Sequence, residues 1–130
     1  NAIYLNDSDE EVKNKVNQAV TDPSRIRLDD PGHPEVCTVF EYHQAFNQNE
    51  VEEIGENCRA GKIGCVACKN KLTNVINELL EPMRERRVKY VNNPKLVDEI
   101  LLSGTSKAKE IATETMKEVK SAMKLDYFKD

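Results

Sequence analysis

Cys37, Cys58, Cys65 and Cys68 are the only cysteines in the chain, and they follow the spacing C-x20-C-x6-C-x2-C. Four thiols in one stretch form the donor set of a tetrathiolate metal site, which zinc and iron–sulfur clusters both accept. Cys65 and Cys68 stand one turn apart where a helix is predicted to begin, so both sulfurs point to one side and reach one centre. Cys58 and Cys37 must arrive there through folding. A reducing compartment disfavours disulfides between them. Free core thiols are the plain alternative for Cys37, but the other three sit among Arg59, Lys62, Lys69 and glycines. Zinc sites more often use two close pairs, whereas only Cys65 and Cys68 form one here, and zinc and a larger cluster both stay open.

The chain of 130 residues, 38% hydrophobic and 32% charged, suffices for one domain with a modest core or for a piece of a larger protein. Its apolar runs fall far short of the roughly 20 residues a membrane span needs. No basic and apolar leader opens it, so a cytoplasmic location is expected. The net charge of -4 hides an uneven distribution. Residues 59–90 hold eight basic side chains, Arg59, Lys62, Lys69, Lys71, Arg84, Arg86, Arg87 and Lys89, against three acidic ones. That net +5 beside the cysteines marks either a phosphate-binding face or a solvated helix surface.

The elements that must position these groups read as helices. Residues 1–5 suggest a short extended piece. Ser8 with Glu11 three residues on is a capping box, and Val12, Val16 and Val20 share one face of the helix it opens. Pro23 ends that pattern, and Asp29-Asp30-Pro31-Gly32 reads as a turn rather than a carboxylate pair. A second helix is predicted from Val36 to about Phe46, with Cys37 in its first turn, where the helix dipole favours a thiolate. Asn49 is expected to cap a third helix, and Gly61 to supply a left-handed stop after Cys58. Leu72, Val75, Ile76, Leu79, Leu80 and Met83 have the clearest helical period, broken or kinked at Pro82. Asn93-Pro94 opens a further helix expected to end at Gly104. A last helix then places Ala108, Ile111, Ala112, Met116, Val119 and Met123 on one side. His33 and His43 read as structural, His43 on the buried stripe of its helix. The fold class is all-α, a bundle-like domain of five to six helices after a short extended segment.

With the pieces placed, the chain resembles the carboxy-terminal part of bacterial tryptophanyl-tRNA synthetases, which are class I aminoacyl-tRNA ligases. Residues 1–5 and the acidic capped helix look like the stretch just after the KMSKS loop of that family. The most specific stretch runs from Thr21-Asp22-Pro23 through Asp30-Pro31-Gly32-His33-Pro34-Glu35-Val36-Cys37, which separates the tryptophan enzymes from their tyrosyl relatives. Glu81-Pro82-Met83-Arg84-Glu85-Arg86-Arg87 and the segment from Gly104 to Ala112 add to it.

The resemblance implies a post-KMSKS segment and connecting helix over 1–22 and a helical anticodon-binding domain over 23–130. The implied partner is the anticodon stem-loop of tRNA(Trp), with no DNA and no membrane, in a homodimeric parent. ATP and tryptophan would belong to an upstream catalytic domain, so this chain is expected to be a fragment without ligase activity. A subset of the family carries a 4Fe-4S cluster on four cysteines at such spacing, which would make Cys37, Cys58, Cys65 and Cys68 iron ligands, with zinc as the alternative. The eight basic residues of 59–90 are the candidate RNA contacts. The rival reading is an independent small iron–sulfur or zinc protein in redox or regulatory work. A reading frame upstream of Asn1 that lacks KMSKS would favour that rival.

Overall fold

The computed structural model describes residues 2–125 and 127. Asn1, first residue of the expected extended piece, lies outside them. Five α-helices and one 3-10 turn occur in this order: α1 (Asp9–Gln18), the turn Pro34–Val36, α2 (Thr38–Phe46), α3 (Val51–Arg59), α4 (Cys65–Val91) and α5 (Pro94–Ala122). No strand occurs among the described residues, so the all-α class holds.

Local chemistry accounts for most of the helix boundaries. The Ser8 hydroxyl accepts from the Glu11 N–H while the Glu11 carboxylate accepts from the Ser8 N–H, the reciprocal cap read from the sequence. Pro34 and Pro94 both stand at helix starts, where a missing N–H costs nothing. Gly61 has φ +66°, and a side chain there would also run into the Asp29 carbonyl. Gly61→Ala should therefore destabilise the chain by about 1–3 kcal/mol, the usual cost of a strained backbone position. Urea unfolding would check this, and an unchanged midpoint would remove Gly61 from the account of this turn.

Four expectations about boundaries are corrected. The second helix begins at Thr38 rather than Val36, because Pro34–Val36 forms a separate 3-10 turn and Cys37 is the N-cap residue. Glu50, not Asn49, precedes α3, and it caps without a side-chain hydrogen bond. α4 runs unbroken through Pro82. Pro82 lies on an exposed face where water can meet the freed carbonyl, while buried Leu80 and half-buried Met83 and Arg84 hold the register on the opposite side. α5 passes through Gly104, so the two expected helices are one. Gly104 has no left-handed backbone, and a lone glycine inside a helix costs only about 1 kcal/mol against alanine.

The described chain divides into two units, Asn1–Arg86 and Arg87–Asp130. The core of the first joins Val12 and Val16 of α1, Cys37, Val39 of α2, and Leu72, Ile76 and Leu80 of α4. Ile54 of α3 is buried as well. The segment boundary expected after residue 22 thus falls between parts that share one core. Val20 is exposed, because α1 stops at Gln18 before the stripe reaches it. The second unit contains the end of α4 and α5. No residue of α5 is buried, and Ile111, Met116, Val119 and Met123 lie exposed along it.

Candidate functional site

Each cysteine is placed by a different piece of local structure. Cys37 caps α2 and is buried. Cys58 lies in the last turn of α3, and its carbonyl accepts from both Gly32 N–H (2.9 Å) and Gly61 N–H (3.1 Å). Cys65 opens α4, and Cys68 sits one turn later with its N–H on the Gly64 carbonyl. All four are free thiols. Folding brings them into one neighbourhood: burial pushes the Cys68 thiol up to about 12, and the charges that Cys37, Cys58 and Cys65 would carry push it the same way. Burial likewise raises Cys58, opposed by the nearby Arg25 guanidinium. Without a cation Cys58 and Cys68 therefore stay protonated at neutral pH, and binding a metal through them must release their protons.

The sequence reading missed two neighbours of the thiols. Arg25 reaches from the loop after α1, its Nη1 3.9 Å from the Cys58 sulfur and 4.0 Å from the Cys65 sulfur, with Nη2 fixed on the Leu28 carbonyl at 2.7 Å. This fixed positive charge opposes the burial that raises Cys58. Gly32 presses its backbone against Cys58 so closely that a Cβ would sit 2.5 Å from the sulfur. Arg25 stands inside the specific stretch from Pro23 to Cys37, but nothing in its spacing points to the cysteines 33 and 40 residues on.

The loop carrying Arg25 and Gly32 is held by Asp22. Its carboxylate accepts from the Ser24 N–H (2.9 Å), the His33 N–H (2.8 Å) and His33 Nδ1 (2.8 Å). These bonds, His33 foremost, hold its carboxyl well below the usual carboxylate range. A depressed carboxylate stabilises the fold above its unfolded value of 3.8 and loses that effect as pH falls through the folded value. Asp22→Asn should thus melt lower than the parent at pH 7, with the gap closing below about pH 4. A gap that is constant across pH would contradict this role.

His33 is structural in this clip, and His43 is fully buried as expected. Asp30 accepts from the Ile26 and Arg27 N–H groups, and Glu35 pairs with Arg59, so these carboxylates serve the turn.

The eight basic candidates divide by partner. Arg84 is pinned to the Asp7 carbonyl, Asp9, Asn77 and Glu81, and ties the turn before α1 to α4. Arg59 pairs with Glu35, Lys71 with Glu50 at 3.1 Å, and Lys69 donates to the Asn17 carbonyl at 2.7 Å. Lys62, Arg86, Arg87 and Lys89 are exposed, and among the described residues none has a carboxylate within ion-pair distance. The first lies beside the cysteines on the α3–α4 loop, and Arg86, Arg87 and Lys89 lie on the last turns of α4.

Among the described residues no three His, Cys, Asp or Glu side chains stand close enough to hold a single metal ion directly. A tetrahedral zinc, with Zn–S near 2.3 Å, would hold its sulfurs about 3.8 Å apart. Among the described residues no helix is long and apolar enough to cross a membrane.

Residues 1–81 match the family described as tRNA synthetases class I (W and Y). The chain belongs to this family. This synthetase chain is 46% identical over 127 residues to the tryptophan–tRNA ligase of Aquifex aeolicus, covering 96% of the chain and 32% of that protein. It is 42% identical to the enzyme of Thermotoga maritima, covering 96% of the chain and 39% of that protein. Among solved structures, tryptophanyl-tRNA synthetase from Campylobacter jejuni superposes with a TM-score of 0.80 at 27% identity, over 95% of the chain and 40% of that structure. The synthetase chain thus spans about a third to two-fifths of the relatives it matches.

Proposed function

We propose that this chain is the anticodon-binding portion of a tryptophan–tRNA ligase, and that its four thiols hold a 4Fe-4S cluster that fixes its shape. Identity to tryptophan–tRNA ligases across nearly the whole chain carries the reading. Activation of tryptophan with ATP would belong to the part of the ligase that this chain does not span. Lys62, Arg86, Arg87 and Lys89 are the candidate contacts to the anticodon stem-loop of tRNA(Trp), since their charges are not spent on the fold. Arg84 is better read as a clamp, and Arg59, Lys69 and Lys71 would have to exchange an internal partner for RNA. Four thiols gathered in one neighbourhood, with Arg25 against two of them, are the donor set such a cluster takes. When bound, the cluster supplies four bonds tying the start of α2, the end of α3 and the start of α4 together, so binding energy becomes folding energy. The parent is proposed to be a homodimer.

RNA binding is tested on the chain with a tRNA(Trp) anticodon stem-loop over a range of salt. Arg86→Ala with Arg87→Ala should weaken binding and lower the salt slope by about one for each lost phosphate contact. Lys117→Ala, which removes a cation already paired with Glu114, should leave both unchanged. Equal affinity for stem-loops with altered anticodons would defeat the assignment. For the metal, anaerobically purified protein should be brown with broad visible absorption. A colourless sample holding stoichiometric zinc would overturn the cluster.

A further inference from the structure

His43 has a role that burial alone does not require. Its ring lies fully inside the first unit, with Nε2 3.2 Å from the Cys68 carbonyl and 3.4 Å from the Cys68 sulfur. The other ring nitrogen, Nδ1, lies 3.2 Å from the Asn47 side-chain amide, which also lies 3.2 Å from a Glu50 carboxylate oxygen. The second Glu50 oxygen accepts from Lys71 Nζ at 3.1 Å.

This chain of contacts has only one consistent set of proton positions. An ionised carboxylate accepts and never donates, so the Asn47 atom facing Glu50 is its NH2 nitrogen. That nitrogen therefore donates to His43 Nδ1 as well, which leaves Nδ1 bare and puts the ring proton on Nε2. The imidazole N–H is thus aimed at the backbone and sulfur of Cys68. Lys71, by holding Glu50, keeps the outer end of the chain in place.

We infer that His43 is a positioning residue for the Cys68 sulfur, donating its Nε2–H to that atom when the four-thiol site is loaded. The inference rests on the proposed metal site. A donor to a coordinating thiolate fixes the direction of its lone pairs, withdraws charge from the sulfur and favours the more negative, reduced state of a cluster. The asymmetry is specific, because only Cys68 among the four has a buried imidazole against it, while Cys58 and Cys65 share Arg25.

Two measurements separate the donor role from simple packing. In the metal-free chain, the 15N spectrum of the His43 ring should show the proton on Nε2 and a bare Nδ1. A proton on Nδ1 would overturn the inference whether or not any metal binds. In the anaerobically loaded chain, His43→Leu removes the donor and should shift the reduction potential negative and raise the fraction of cluster lost on dilution. His43→Gln, which can still present an N–H, should recover part of that shift. Equal potentials in the parent and both variants would overturn the inference. If His43→Leu fails to fold, the 15N result on the unaltered chain still decides. If the parent takes up no iron, the metal reading fails by itself, and a bare Nε2 or a protonated one is read independently of it.

Discussion

Cys65→Ser should melt well below the parent when both are exposed to iron and sulfide under anaerobic conditions, and alongside it when both are metal-free. Even partners outside the first ring of ligands contribute 10–100-fold to metal affinity, so losing a ligand is expected to cost at least about 2 kcal/mol. At roughly 4–8 °C per kcal/mol for a unit of this size, the melting point should fall by about 10 °C or more. The effect is large because the core is small: seven buried residues form its main cluster, and Cys37 is one of them. The staple role would be lost if the loaded variant and loaded parent melted together. Serine keeps the volume of the side chain, so a drop already present in the metal-free pair would indicate packing instead.

Gly32→Ala should uncouple folding from loading. An added methyl meets the Cys58 sulfur at 2.5 Å and the Cys58 carbonyl at 3.2 Å, while the Gly32 N–H is held on that same carbonyl at 2.9 Å. The backbone cannot retreat without breaking this bond, so the sulfur must rotate away. A free thiol can do so at a cost within the 1–3 kcal/mol typical of overpacking. A ligating sulfur cannot, because its direction is set by the metal. The variant should therefore fold when metal-free and bind iron at least tenfold more weakly than the parent. Titration with iron and sulfide under anaerobic conditions, followed by visible absorption, reads this directly. Undiminished loading would mean that Cys58 lies outside the site or that the loop yields.

How much of this was legible in the sequence depends on whether the cause was local. The capping box at Ser8, the left-handed Gly61, the thiol pair at the head of α4 and its buried stripe through Leu72, Ile76 and Leu80 all come from residues within a turn or two of each other. Pro82 and Gly104 misled for the same reason. Their local preference is to interrupt a helix, but Pro82 is on an exposed face of α4 and a single glycine is too weak a breaker for α5. Leu79 keeps the helical period of α4 yet lies exposed. Arg25 against two cysteines and Arg84 on Asp7 join residues far apart in the chain, and no periodicity encodes such pairs. Arg84 looked like an RNA contact because charge can be counted from a sequence, whereas its partners cannot. His43 was read correctly as buried, but its neighbour Cys68 belongs to another helix.

The placing of the four cysteines also sets an order of events. Cys58, Cys65 and Cys68 flank one short connection between α3 and α4, so three sulfurs can gather as soon as that local hairpin forms, with little chain to close. Cys37 stands across a longer loop and is buried among Val12, Val39 and Leu72, so it joins only when α1 and α2 have docked. Until then the site has three corners and an open side. On the proposed function, the fourth bond to the cluster and the docking of the core are completed together.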